Sequence, residues 1–97
     1  MSFYMIIQAV IKDREKYNRY IHQVSPIIEK YGGRYHVRGE EIRSLGDWKP
    51  ERIIVVEFPS EEHIQKWLTS HEYSLIAQLR KEGADTNAII VDGYHKK

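Results

Sequence analysis

Three basic side chains that could bind an anion alternate within the segment RYHVR: Arg34, His36 and Arg38. Alternate residues of an extended strand point to the same side, so we expect these three to share one face of a sheet. Arg38 would offer a bidentate guanidinium to a carboxylate, and His36 would move a proton near neutral pH. The alternative is that the charges solvate an edge strand and discourage pairing with other chains, which we favour for Arg34.

Glu57 is the one acidic residue within the apolar segment IIVVEF, and Gln8 is the matching polar residue within FYMIIQAVI. We expect neighbouring strands here, so that Glu57 pairs with Arg38 or hydrogen-bonds to Gln8. A buried Glu57 with a raised pKa would act as a general base. A nearby arginine would instead lower that pKa, and the buried pair would then fix the strand register or a dimer seam.

Three large aromatic residues lie near predicted loops and helix ends. Trp48 lies in the turn-rich segment 46–50, where it would cover a pocket or fasten the loop to the sheet or to a partner subunit. Trp67 has helical spacing with its apolar neighbours, which favours core packing. Tyr73 would offer its phenol to a carbonyl, or would simply belong to a helix that restarts with Ser70 as its cap.

Arg52 begins a predicted strand beside the loop that carries Trp48, where it would supply a second positive group. The strands before and after this loop should pair antiparallel, so the end of one lies close to the start of the next. This convergence predicts one site around the loop. The predicted catalytic residues are Glu57 and His36, and the predicted substrate-binding residues are Arg38, Trp48, Arg52 and Tyr73.

The sequence contains no motif for a metal or a cofactor. It has no cysteine, its five histidines lack the spacing of metal ligands, and no glycine-rich phosphate loop follows a strand. We expect His22 and His95 at the surface, and we predict no metal and no cofactor. The net charge of +1 is not typical of nucleic-acid binding, and the apolar segment 1–11 is too short to span a bilayer. We therefore expect a cytoplasmic protein that binds neither nucleic acid nor membrane.

Hydrophobic periodicity divides the chain of 97 residues into six elements. Their order is β-α-β-β-α-β, the ferredoxin-like α+β arrangement. We expect a single domain over residues 1–97, with a four-stranded antiparallel sheet of order 4-1-3-2 and both helices on one face. The predicted bounds are 3–11, 34–38, 52–58 and 87–92 for the strands, and 14–31 and 61–82 for the helices, with a break in the second helix near residues 70–71.

Three of the predicted strands are apolar on both faces, namely FYMIIQAVI, RIIVVEF and NAIIVD. Two helices can cover only one face of the sheet, so something else must cover the other. A second copy of the same sheet is the simplest cover, which predicts a homodimer that pairs through its sheet faces. The alternative is a monomer that leaves an apolar face in water, although patches of that size are uncommon.

The chain resembles a bacterial family, the domain of unknown function 1330, over essentially its whole length. The resemblance implies a ferredoxin-like fold within the dimeric α/β-barrel superfamily, whose members include cofactor-independent monooxygenases, haem proteins, isomerases and stress-responsive proteins. It implies no single reaction. The segments that carry it are YGGRYHVRG at 31–39, GDWKPERIIVVEFPS at 46–60, WLTSHEY at 67–73 and IIVDGY at 89–94.

Two hypotheses about function follow from these observations. The first is a small-molecule-binding dimeric barrel with cofactor-free chemistry on a small carboxylate, phenol or quinone-like ligand. The alternative is a non-catalytic, stress-associated or structural homodimer. A sizeable pocket lined by convergent polar groups would favour the first hypothesis, and a filled core would favour the second.

Overall fold

The computed structural model describes residues 2–94, and His95 therefore lies outside the described part of the chain. Within that part, four strands form a single antiparallel sheet of order β2-β3-β1-β4. The ferredoxin-like α+β fold predicted from the sequence is therefore confirmed. The elements are β1 (Phe3–Ile11), α1 (Arg14–Lys30), β2 (Arg34–Gly39), β3 (Arg52–Phe58), α2 (Glu61–Leu68), α3 (His71–Ser74), α4 (Ala77–Gly83) and β4 (Ala84–Asp92).

Helix α1 begins and ends at residues whose chemistry marks a helix boundary. The Asp13 side chain accepts a hydrogen bond from the Lys16 amide at 3.1 Å, which satisfies one of the free donors of the first turn. At the other end Gly32 has a φ of +92°, a left-handed conformation that glycine adopts without steric cost. The chain then turns directly into β2.

The second helical region is divided into three short helices. Ser60 caps α2, and Ser70 caps α3 by accepting a hydrogen bond from the Tyr73 amide at 3.1 Å. The capped restart at Ser70 is thus confirmed. A further interruption at Leu75 and Ile76, which the sequence does not predict, separates α3 from α4.

Strand β4 begins at Ala84, three residues before the predicted start at Asn87. The Gly83 carbonyl accepts hydrogen bonds from the amides of Lys12 and Asp13, at 2.8 and 3.0 Å. These bonds hold the end of α4 against the end of β1. Pairing with β1 therefore starts as soon as the helix ends, with Ala84 opposite Ile11.

The hydrophobic core lies between the sheet and the helices. From β3, the alternate residues Ile54, Val56 and Phe58 are buried against α1 and α2, together with Tyr17 and Ile64. Burial of side chains of this size is the main source of stability in a domain of this length.

The opposite face of the sheet is apolar but has no helix on it. Register and alternation place Ile6 and Val10 of β1, Ile53 and Val55 of β3, and Ile89 of β4 on this surface, hereafter the open face. Ile89 is 59% exposed and Val10 is 39% exposed. Within residues 2–94, no helix has the length and apolar character needed to cross a membrane.

Candidate functional site

A β-bulge in β2 changes which predicted site residues share a face. Tyr35 lies opposite Val56, but Val37 lies opposite Val55, so His36 is an extra residue between the two pairs. After the bulge the alternation is inverted. The prediction that Arg34, His36 and Arg38 share one face is therefore wrong.

Arg38 and Arg34 lie on opposite sides of the sheet. Arg38 is opposite Ile54, on the side of the helices, and its guanidinium lies 4.8 Å from the centre of the Tyr35 ring. Arg34 is opposite Glu57 on the open face. Strict alternation assumes one residue per pairing position, which a bulge breaks.

Glu57 pairs with His36 on the open face, and not with Arg38 or Gln8 as predicted. Glu57 Oε1 lies 2.7 Å from His36 Nε2, and the His36 ring lies 5.7 Å from that of Tyr4. Two hydrogen bonds lower the pKa of Glu57. The bond from the Ser2 side chain has the larger effect, and the bond to His36 has the next largest. The prediction that Glu57 has the raised pKa of a general base is therefore wrong.

Trp48 and Arg52 lie on opposite faces as well. The Trp48 indole donates to Gln8 Oε1, and its ring lies over the open face beside Ile53 and Ile89. Arg52 is nearly buried on the helix side, where it bonds to Glu40 at 3.2 Å. The predicted residues do not form one site, because the sheet separates them.

A partly enclosed cavity of about 270 Å³ lies between the sheet and the helices. Of the six predicted site residues, Tyr73 alone lines it. The cavity is slightly smaller than the usual range for ligand pockets, which is roughly 300–1,000 Å³. Its lining is mostly apolar and aromatic and consists of Met5, Ile7, Tyr17, Tyr20, Ile21, Val24, Ile28, Tyr35, Ile54, Trp67, Leu68, Tyr73, Arg80, Thr86 and Ala88.

Polar groups on this lining form a short hydrogen-bond chain. The Tyr20 and Tyr73 hydroxyls lie 3.1 Å apart, and Arg80 Nε donates to the Tyr73 hydroxyl at 3.1 Å. Arg80 Nη1 donates to Thr86 Oγ1 at 2.6 Å. Helices α1, α3 and α4 and strand β4 thus bring four polar side chains to one wall.

Trp67 adds a donor that has no partner among the described residues. Its side chain is only 2% exposed, and Nε1 makes no hydrogen bond within residues 2–94. The ring stacks on Phe58 and meets Tyr73 edge-on, with centres 5.8 and 5.0 Å apart. A buried N–H without an acceptor costs about 1–3 kcal/mol. Because Nε1 itself has almost no accessible surface, this N–H does not open onto the cavity, although other atoms of Trp67 line it.

The hydroxyls of Tyr17, Tyr20 and Tyr35, three residues of the cavity lining, are donors at neutral pH. Burial is the largest cause of the raised pKa of Tyr20, and the neighbouring Tyr73 raises it further. Burial also raises the pKa of Tyr17 and of Tyr35. The phenols therefore remain protonated, and the wall can hydrogen-bond to an oxygen atom of a ligand.

The sequence predicts little of this cavity. Tyr17 and Tyr20 have the spacing of a core-facing helix stripe, and their hydroxyls were the one available signal that this stripe is not purely apolar. Trp67 does pack in the core as predicted, but whether its indole N–H has an acceptor depends on the atoms around it. Arg80 belongs to a helix that is basic at its end, and nothing in the sequence separates it from a surface residue.

The fold and this cavity define a ferredoxin-like α+β protein with room for a small molecule between its two layers. The sequence matches the model of the domain of unknown function DUF1330 over residues 2–94, and the chain belongs to that family. The resemblance identified in the sequence is thereby confirmed. No curated protein matches the chain in sequence.

Several solved structures have the same fold. The RPA0582 protein of unknown function from Rhodopseudomonas palustris matches with a TM-score of 0.83 and 18% identity, over 98% of this chain and 84% of that one. SnoaB, a cofactor-independent oxygenase from Streptomyces nogalater, matches with a TM-score of 0.72 and 4% identity, over 98% and 95%. A dimeric protein of unknown function from Bacteroides fragilis matches with a TM-score of 0.57 and 10% identity, over 95% and 96%. At these identities the likeness extends to the fold alone.

Proposed function

We propose that this protein binds a small, largely aromatic organic molecule in the cavity between the sheet and the helices. The observation that carries the proposal is a cavity of about 270 Å³ whose mostly apolar and aromatic lining includes the hydrogen-bonded side chains of Tyr20, Tyr73, Arg80 and Thr86. An apolar pocket with a few convergent polar groups is the usual form of a small-molecule site. A filled core, which the alternative of a purely structural protein predicts, would leave no such cavity.

The lining favours a ligand with two chemical parts. Its aromatic and aliphatic walls suit a flat apolar body, which can stack against Trp67 or Tyr20. The Tyr73 hydroxyl and the Arg80 guanidinium suit an oxygen atom that accepts hydrogen bonds. Aromatic carboxylates, phenols and quinones have both parts.

Titration calorimetry with 2-naphthoate, 2-naphthol and 1,4-naphthoquinone tests this proposal. At least one of them should bind saturably to the wild type. Tyr73→Phe keeps the ring but removes the hydroxyl, so it should weaken that binding by about three- to tenfold, the loss expected for one hydrogen bond. Tyr94→Phe removes the same group from an exposed position outside the cavity, so it is the matched control and should leave the affinity unchanged. The absence of binding by all three compounds, or equal weakening in the two variants, would contradict the proposal.

Cofactor-free chemistry on the bound molecule is a further part of the proposal. It is supported by the fold shared with SnoaB, a cofactor-independent oxygenase, and by donors that would stabilise a developing oxyanion. With 1,4-dihydroxynaphthalene, the substrate would lose two electrons and two protons to become the quinone, and dioxygen would gain them to become hydrogen peroxide. Oxygen uptake should exceed the rate in buffer. Equal rates would contradict the chemistry and leave the binding proposal intact.

We also propose that two copies pair through their open faces into a homodimer. The support is the row of exposed apolar side chains on a sheet face without helices, which includes Val37, Ile89 and Val91. A neighbour in fold is described as dimeric, which supports assembly into a dimer. Association would bury an apolar surface that is unusual on a monomer.

A further inference from the structure

Arg80 places a positive charge on the wall of an otherwise mostly apolar cavity. Its two hydrogen-bond partners, the Tyr73 and Thr86 hydroxyls, are both neutral. Within residues 2–94, Arg80 forms no ion pair with a carboxylate. Arg52, another arginine on the helix side of the sheet, is by contrast paired with Glu40.

A cation that is half-buried without a counter-charge makes a cavity selective for anions. Removing a guanidinium from water is unfavourable unless a negative charge compensates it. The two hydroxyls hold Arg80 in place at Nε and Nη1, so a ligand would meet a positioned cation and not a freely moving one. Positioned donors of this kind lower the entropy cost of binding.

We propose that the cavity selects organic monoanions, an aromatic carboxylate being the simplest, whose charged oxygen is held by Arg80. The inference rests on the proposed function, since it requires that the cavity binds a ligand. It adds the charge of that ligand and the residue that recognises it. A single cation facing apolar walls matches a single negative charge on an apolar body.

Two ligands of nearly the same shape but different charge show whether charge or shape determines the affinity. The anion 2-naphthoate and the neutral 2-naphthamide both present a planar group on the same two rings. By calorimetry, the wild type should bind 2-naphthoate at least about tenfold more tightly, because hydrogen bonds to a charged group are stronger than neutral ones.

Substitutions at position 80 identify the source of the preference. Arg80→Gln should abolish the preference for 2-naphthoate, because loss of the charge weakens binding of the carboxylate by more than it weakens binding of the neutral amide. Arg80→Lys keeps the charge and should keep 2-naphthoate as the preferred ligand. Lys81→Gln removes the same charge from the exposed neighbouring position, and it should retain the wild-type preference. Thermal melts establish that each variant is folded.

The outcomes distinguish this inference from the proposed function. If the wild type binds 2-naphthamide as tightly as 2-naphthoate, anion selection is overturned and the binding site stands. If Arg80→Gln and Lys81→Gln reduce 2-naphthoate binding equally, the preference comes from overall charge and not from the cavity, which also overturns it. If neither compound binds the wild type, this inference is overturned, and the proposed function fails with it only if 2-naphthol and 1,4-naphthoquinone do not bind either.

Discussion

Trp67 and Arg80 both line the cavity, and the sequence alone predicts the role of neither. Trp67 is a core residue by its spacing and by its burial, yet its N–H lacks an acceptor in the part of the chain that the structure describes. Arg80 sits near a helix end, where a basic residue ordinarily interacts with the helix dipole. Their roles depend on which atoms surround them, and a pattern of residue types does not contain that information.

The pairing of Glu57 with His36 predicts a specific dependence of stability on pH. The pKa of Glu57 lies below its ordinary value of 4.5 in the folded state, because Ser2 and His36 stabilise the charged form. A lowered pKa contributes stability that is fully present above 4.5 and is lost as the pH falls through the folded-state pKa. Glu57→Gln should therefore lower the free energy of unfolding near neutral pH and have little effect in strong acid.

Urea unfolding of both proteins at about pH 7 and about pH 2.5, at one protein concentration, measures this difference. Glu41→Gln, in an exposed loop, is the control and should show no such difference between the two pH values. A deficit in Glu57→Gln that is equally large in acid would contradict the role assigned to the His36 pair.

At the scale of secondary structure, strands β1 and β3 were predictable to the residue, because chemistry marks their ends. Asp13 caps the helix after β1, and Pro59 cannot continue the strand before it. The bulge at His36 was not predictable, because it depends on how β2 pairs with its partner strand. The segment RYHVR by itself has the pattern of a regular alternation. That single extra residue moved Arg38 to the other side of the sheet and divided the predicted site.

Because α4 lies close to α1, one methyl group added at Gly83 should strongly destabilise the protein. A Cβ added to Gly83 would lie 2.7 Å from the Tyr17 amide nitrogen, which is backbone and cannot easily move. Gly83→Ala should lower the free energy of unfolding by about 1–3 kcal/mol, the usual range for overpacking. Because Tyr17 lines the cavity, the variant should also weaken ligand binding.

Gly39→Ala is the matched control for this experiment. A Cβ at Gly39 would have its nearest neighbour at 3.9 Å, an ordinary contact distance. Denaturant unfolding should show a change of less than about 0.5 kcal/mol for this variant, as for most surface substitutions. Equal destabilisation of the two variants would mean that the contact between Gly83 and Tyr17 is not responsible.

At the scale of the whole molecule, the open face predicts self-association. The wild type at micromolar concentration should have a mass of about 23 kDa by light scattering, twice the 11.5 kDa of the chain. Ile89→Lys places a charge on the open face and should shift the mass toward that of one chain. A wild-type mass of one chain would contradict the proposed dimer.

Leu75→Lys supplies the control for this substitution. Leu75 is 69% exposed, similar to Ile89 at 59%, but it lies between α3 and α4 on the helical side. The same change of an exposed aliphatic residue to lysine should leave the mass of the dimer unchanged there. If both variants dissociate to the same extent, the open face is not the interface.

The indole N–H signals in a nitrogen–proton NMR spectrum test the central claim, binding in the cavity, most directly. The chain has two tryptophans, and Trp48→Phe assigns the two signals. On titration with 2-naphthoate, the Trp67 signal should move saturably, because Trp67 lines the cavity and the ring current of a bound aromatic ligand shifts nearby protons, while the Trp48 signal stays in place. A Trp67 signal that does not change at millimolar ligand, or a shift confined to Trp48, would contradict the account.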